Sequence, residues 1–532
     1  MIVQSATAAT CDLPATPKQV AGDRVGMWVG GGKLMKNITT IAAVLVGLWC
    51  AGHAAAGTAD DVQAAKEAFA RKDYAAAEQS VTAAIDAGEL KREDKAAAYY
   101  LRGYARALSK KFDAAADDFT DAMQNTERGD NGWSAAIQAR FLTYVDLGKP
   151  TSAAADFVAL AKDRPDAARG VRYRLISRLV WDLKAKDEDA AFDVLKAMRD
   201  ISYVPEEPAQ NTDYLTQVFV RLLVNRGEDL VAMMELSKIK TADLLVEARV
   251  DRGYASLWAK EGFDAVTDPK EIAGRELAYV ADLAKKSPNL AVVMTRYVKA
   301  LRTVGESAKA VEVAREALAN PELASVQVER VVEDKLWLRN ELVYALKDLG
   351  RTDEALAEMQ PILKLDEAKN GFMISQLVNF GQIMIELGHA AEGVKTAKRG
   401  WNSASPMGQL YINMIEVCGT ATTDKPAAEK ALALLRKRQS ENYAAMSAAL
   451  LCMDRTDEVA DLVKKRLSLP AHRGALLTAI QSYKPPAFVT PLRRTLMERY
   501  AKVLARPDVQ AAIKKQGRIE EYPFFSAYWG NL

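Results

Sequence analysis

AAAYYLRGYARALSKKFDAAADDFTDAM, residues 96–123, decides the fold. Its first half carries Tyr99, Gly103 and Ala105 at helical spacing, and its second half carries Phe112, Ala115, Phe119 and Ala122. Lys110-Lys111 marks a turn between two helices. Small residues at Gly103 and Ala115 let the two backbones approach closely, as antiparallel neighbours with a short connection do. Phe112 and Phe119 are then placed to fill the space between this pair and the next. One such pair cannot bury its apolar faces alone, so the unit has to repeat and stack.

The repeats are visible on both sides. Ala65, Tyr74, Ala77 and Ala84 occupy the same columns in ADDVQAAKEAFARKDYAAAEQSVTAAI, and Gly148, Ala153, Phe157 and Pro165 continue the series. Later copies turn at Gly227, Gly305, Gly350 and Gly388, and one more carries Ala448 and Ala460 before Pro470. Phe141 and Val298 depart from the small column, and Gly393 stands where Ala is usual. The stretch 171–200 is helical but degenerate. Pro-bearing breaks at 203–214 and around Asp268-Pro269 read as joints. These columns resemble the tetratricopeptide repeat, a helix-turn-helix unit of about 34 residues. The resemblance implies an all-α, right-handed α-solenoid of stacked antiparallel helix pairs, whose first helices line a concave face that binds protein segments. We expect an N-terminal repeat block over 57–202, a degenerate block over 203–470, and a helical C-terminal cap over 471–532. The cap should hold helices near Leu492–Ala505 and Val509–Lys515 and cover the apolar face of the last repeat. Arg506-Pro507-Asp508-Val509 and the ending GRIEE at 517–521 resemble those of exported proteobacterial proteins with such repeats.

The N-terminus carries a separate signal. From Met35, a basic Lys36, an apolar stretch Ile38–Trp49 and small residues ending at Ala54-Ala55-Ala56 have the layout of a secretory signal peptide cleaved after about Ala56. The apolar stretch is short for a membrane span. Residues 1–34 do not fit ahead of such a signal, so Met35 is the expected start. Trp49 before Cys50 departs from a lipobox, so no lipid anchor is expected. The expected location is the periplasm. Removing residues 1–56 takes away Lys18, Arg24, Lys33 and Lys36 against Asp12 and Asp23, leaving 68 basic and 68 acidic residues. A neutral, sign-interspersed surface argues against a nucleic-acid binder and gives no support to peripheral membrane contact. Cys418 and Cys452 then remain; the expectation is two separate buried thiols, with a bridge as the alternative in an oxidising compartment.

Catalytic chemistry is not indicated. His389 at a turn and His472 beside Pro470 have no ligand-spaced partner, there is no G-x-S-x-G elbow, and Gly30–Lys33 lacks P-loop spacing. No enzyme, cofactor or metal is expected. Mapping the family's groove positions onto this chain implies Lys299 and Arg302 in one copy, Asn340, Tyr344 and Lys347 in the next, and Tyr100 and Tyr104 in the copy at 96. The basic and amide residues could hold a carboxylate or acidic segment of a protein partner, and the tyrosines could act as anchors. The expected function is therefore a protein-binding scaffold of the bacterial envelope. One alternative is a glycan- or peptidoglycan-binding accessory using Tyr100, Tyr104, Trp337 and Trp401. A second is a structural component that self-associates through its cap.

Overall fold

The computed structural model describes residues 56–208, 210–326, 330–365 and 373–525. The expectations on the start at Met35, the signal peptide and Cys50 lie outside the described residues. The fold is an all-α solenoid of helix pairs, falling into two compact units. The N-terminal unit holds residues up to 206 and 210–222; the C-terminal unit holds 207–209 and 223 onward.

In the N-terminal unit α1 (Ala56–Ala70) pairs with α2 (Tyr74–Asp86), α3 (Arg92–Leu108) with α4 (Phe112–Gln124), and α5 (Asn131–Leu147) with α6 (Pro150–Asp163). A short α7 (Pro165–Arg169) leads to the pair α8 (Tyr173–Leu183) and α9 (Glu188–Asp200), and α10 (Asp213–Asn225) follows. Gly103 behaves as expected: a Cβ there would lie 2.9 Å from Phe119. Phe141, a departure from the small column, is accommodated by pairing with Phe157 at 6.3 Å between ring centroids.

The C-terminal unit begins with α11 (Asp229–Leu236), α12 (Ala242–Val250), a 3-10 turn (Arg252–Leu257), α13 (Phe263–Val266) and α14 (Ile272–Lys286). Regular pairs follow: α15 (Ala291–Thr303) with α16 (Ser307–Ala319), α17 (Val331–Asp348) with α18 (Thr352–Leu363), and α19 (Ile374–Glu386) with α20 (Ala390–Arg399). Next come α21 (Pro406–Thr420) with α22 (Lys425–Lys437), and α23 (Tyr443–Cys452) with α24 (Thr456–Ser468). The chain ends with α25 (Pro470–Ala479), β1 (Ser482–Tyr483), α26 (Pro491–Leu504), α27 (Pro507–Gln516) and β2 (Glu521–Tyr522).

One local device makes most of these pairs. The turn between first and second helix has a residue in the left-handed region: Lys72, Lys110 and Gly148 in the N-terminal unit, Gly305, Gly350, Gly388 and Asp454 in the C-terminal unit. The next amide then reaches back five residues, as Lys111 N–H does to Arg106 O at 2.8 Å and His389 N–H to Met384 O at 2.8 Å. This closes the first helix by a Schellman bond, and the same residue is the N-cap of the second helix. Where α19 crosses α20, Gly381 and Gly393 face each other; a Cβ on Gly393 would stand 2.5 Å from Gly381 O. The glycine at 393 is thus matched to the one at 381.

Two findings correct the sequence expectations. Cys418 on α21 and Cys452 on α23 form a disulfide rather than two separate thiols. Their Cα atoms are 5.1 Å apart because the two first helices are neighbours offset by 34 residues, one repeat length. The C-terminal segment is also more than a cap on the last repeat. α26 packs on α23 and α24 but also on α19, and α25 packs on α12, at the start of its own unit. There Gly517 forms an antiparallel bridge with Asp251, and Arg518 N–H donates to Val250 O at 3.1 Å. Arg473 Nε donates to Asp251 Oδ1 at 2.8 Å, and Arg249 pairs with Glu520. β1 and β2 pair in parallel, Ser482 against Glu521 and Tyr483 against Tyr522. The C-terminal unit is therefore closed on itself by its last residues.

Candidate partner-binding face

The stripe that should line a groove in the C-terminal unit is built by helical spacing. Asn340, Tyr344 and Lys347 fall at i, i+4 and i+7 on α17, and Asn379, Gln382 and Glu386 at i, i+3 and i+7 on α19. The structure brings these residues together, but beneath cover. Arg302 is 2 % exposed, Tyr344 and Asn340 are fully buried, and Lys347 is 4 % exposed.

Each cation has an internal partner. Arg302 Nη1 donates to Glu341 Oε2 at 2.6 Å and its Nε to Asp348 Oδ2 at 2.9 Å. Lys347 Nζ donates to Glu386 Oε2 at 2.8 Å. Asn379 Nδ2 donates to Asn340 Oδ1 at 3.2 Å. Arg302–Glu341, Lys347–Glu386 and Asn340–Asn379 are all 39 residues apart, so the network steps from one repeat to the next in register. Lys299 is half-buried and faces the carboxylates of Asp243 and Glu276.

The electrostatics follow from burial. Burial alone would weaken the Arg302 guanidinium, but Asp348 and Glu341 outweigh it and hold the charge more firmly than usual. Burial lowers the Lys347 ammonium despite Glu386, and Arg493 adds to the lowering. Burial, then Glu341 and Glu386, raise the Tyr344 hydroxyl well above its ordinary value. The expectation that Arg302 and Lys347 receive an acidic segment is therefore corrected: both are buried and already paired with carboxylates of the same unit, while Lys299 is half-buried beside Asp243 and Glu276. Capture by Asn340 and Tyr344 as exposed groups is corrected for the same reason, since both are buried.

The cover is the chain's own C-terminal segment. Phe525 N–H donates to Thr303 O at 2.8 Å, and its ring lies 5.9 Å from the Arg302 guanidinium. Phe525 belongs to the same apolar cluster as Leu301, Leu342 and Tyr344. Phe488 N–H donates to Asp348 O at 3.0 Å, and its ring sits against Gly350. Sequence reasoning missed this occupant. The aromatic run Tyr522-Pro523-Phe524-Phe525 was its one available signal.

In the N-terminal unit Tyr104 is buried and Tyr100 half-buried, their rings parallel at 6.4 Å. Tyr104 packs on Phe69 and Tyr100 on Phe119. Tyr104 is thus a packing residue rather than an anchor, while Tyr100 keeps a partly open edge. The glycan reading loses Tyr104 and Trp337, both buried; Trp401 is half-buried. Nearby arginines staple helices within a pair: Arg102 and Arg106 both bind Asp118, at 2.7 and 2.9 Å, and Arg140 binds Asp156 at 2.6 Å. A half-buried cluster not foreseen from the sequence spans the first helices α8 and α10. Lys184 Nζ lies 3.6 Å from the Trp181 ring centroid, and Trp181 and Tyr214 stack at 6.4 Å.

No protein-family profile matches the chain, and no curated protein does. Among solved structures, the APC/C hetero-tetramer Cut9-Hcn1 aligns at 13% identity over 90% of this chain and 98% of that one, with a TM-score of 0.26. The P58(IPK) TPR domain aligns at 14% over 86% and 99%, TM-score 0.19, and the Naa15/Naa10 pair bound to HypK-THB at 13% over 92% and 88%, TM-score 0.27. Superpositions this loose carry no argument; the all-α solenoid architecture rests on the helix pairs themselves.

Proposed function

We propose that this chain is a non-enzymatic scaffold of the bacterial cell envelope, exported to the periplasm, that binds a protein segment on the first helices of its N-terminal unit. The observation that carries the reading is the Trp181–Lys184–Tyr214 cluster across α8 and α10. Rigid aromatics beside a cation, half-buried and spanning two repeats, have the chemistry of an interface anchor. Tyr100 extends the same chemistry on α3. Two features support export: the signal-like layout from Met35 to Ala56, and the Cys418–Cys452 bridge, which suits an oxidising compartment.

The test is in-cell crosslinking of a tagged chain begun at Met35, followed by mass spectrometry, with Trp181→Ala/Tyr214→Ala beside it. A specific protein captured by the unaltered chain and lost in the variant is expected. A partner retained at full yield by the variant would remove this face from consideration. Osmotic-shock fractionation with N-terminal mapping tests the location: release of a chain beginning near residue 57 is expected, and any peptide from before Met35 defeats the proposed start.

A further inference from the structure

We propose that the inner face of the C-terminal unit is a second docking groove, for an extended partner segment bearing adjacent aromatic residues. Residues 517–525 occupy it in cis and gate it. This goes beyond the N-terminal face and rests only on the reading that the chain binds protein segments.

Three observations carry it. First, the C-terminal segment attaches where a ligand would, at the carbonyl ends of first helices, which a helix leaves unsatisfied. Phe525 N–H takes Thr303 O at the end of α15, and Phe488 N–H takes Asp348 O at the end of α17. Arg499 Nη1 takes Leu451 O at 2.6 Å and Cys452 O at 3.1 Å at the end of α23. Phe488 and Arg499 belong to the stretch before and within α26; within 517–525 itself, Phe525 N–H takes Thr303 O and Arg518 takes Val250 O by its N–H and Arg249 O by its Nε, at 3.1 and 2.8 Å. Second, the extended stretch beyond α27 is held by strand-like pairing and by an aromatic cluster of Tyr483, Tyr522 and Phe524, with ring centroids 5.3 to 5.7 Å apart. These contacts belong to a short extended peptide and can be supplied by another. Third, the stripe keeps unmet polar groups among the described residues. Asn340 Nδ2, Asn379 Oδ1 and Gln382 Oε1 lie buried on the stripe without a hydrogen-bond partner. Buried polar groups are ordinarily paired. An extended peptide presents alternating N–H and C=O groups, the complement these amides lack.

The test uses a fluorescent peptide of sequence RIEEYPFF, residues 518–525, titrated onto the full oxidised chain and onto the full-length Phe524→Ala/Phe525→Ala variant, with circular dichroism and melting of both. Saturable binding at least tenfold tighter to the variant is expected. No binding to the variant, or equal binding to both, would overturn the proposal. Should the variant not fold, hydrogen exchange of the unaltered chain decides. Amides of 518–525 should exchange at least a hundredfold faster than those of α17 and α19, whereas equal protection would show an integral core element. A concentration-dependent dimer with the tail exchanged between copies would also overturn it. The peptide reads the C-terminal unit, from Val250 to Thr303, and the crosslinking variant reads Trp181 and Tyr214 of the N-terminal unit, so the two proposals can fail separately.

Discussion

Arg302 sits between two carboxylates with almost no water access, and that arrangement sets what its loss does. Arg302→Met leaves Glu341 and Asp348 buried and uncompensated, for an expected loss of about 3–5 kcal/mol in urea unfolding. Replacing all three by apolar residues of similar size should recover most of it. Failure of the triple variant to recover would mean the network does more than neutralise itself. Glu276 gives a pH signature. Burial holds its carboxyl above the ordinary 4.5, against the opposing pull of Ala242 N–H and Lys299. A raised folded-state value means the folded chain binds this proton more tightly than the unfolded chain. Its cost is therefore absent below about pH 4.5 and accumulates as pH rises toward the folded value. Glu276→Gln, which can still accept from Ala242 N–H, should match wild type near pH 4 and be more stable near pH 7 in paired melts. The sequence named Lys299, Arg302 and Lys347 correctly as first-helix residues. It could not show that carboxylates one repeat away, at Glu341 and Glu386, already answer two of them.

At the scale of the element, the turn between paired helices is a left-handed position filled in some copies by Gly and in others by Lys or Asp. A side chain there is strained by contact of its Cβ with the following carbonyl. Lys110→Gly should therefore stabilise by about 0.5–1 kcal/mol, and Gly148→Ala should destabilise by about 1 kcal/mol, read as shifts in denaturant midpoint. Equal midpoints for both would show that tertiary packing, not the turn, sets the geometry. The disulfide joins neighbouring first helices across 34 residues. In the chain-entropy description, Cys418→Ser/Cys452→Ser should cost about 3–4 kcal/mol relative to the oxidised chain. Reduction of the unaltered chain should produce a matching loss. Helix existence and pairing were legible because small residues, turn residues and apolar spacing agree in nearly every copy. The bridge was not, because sequence spacing alone does not say that α21 and α23 are spatial neighbours with their cysteines facing.

At the scale of the molecule, the C-terminal unit is closed by contacts between residues more than two hundred positions apart, Arg473 with Asp251 and Arg249 with Glu520. Asp251 is 1 % exposed, so Arg473→Ala removes an ion pair from a buried carboxylate. The expected result is loosening of the closure. Limited proteolysis should then begin within 518–525, well before the helices of α17 and α19 are cut. Simultaneous cleavage throughout would mean that closure and repeat stacking unfold as one.

The sequence by itself determined the helical class, the pair unit, the turn positions and the run of helices after Pro470, because these are local. Helical period, turn chemistry and small residues at crossings act within about forty positions of one another. Only the tertiary structure decided which faces are open. Whether a first-helix stripe is a groove or a core depends on what returns to cover it. The covering segment, from Phe488 to Phe525, is far away in the chain from Arg302 and carries no repeat signature. Its aromatic rings, its free backbone donors and the unsatisfied carbonyls of Thr303 and Asp348 meet only once the C-terminal unit has closed.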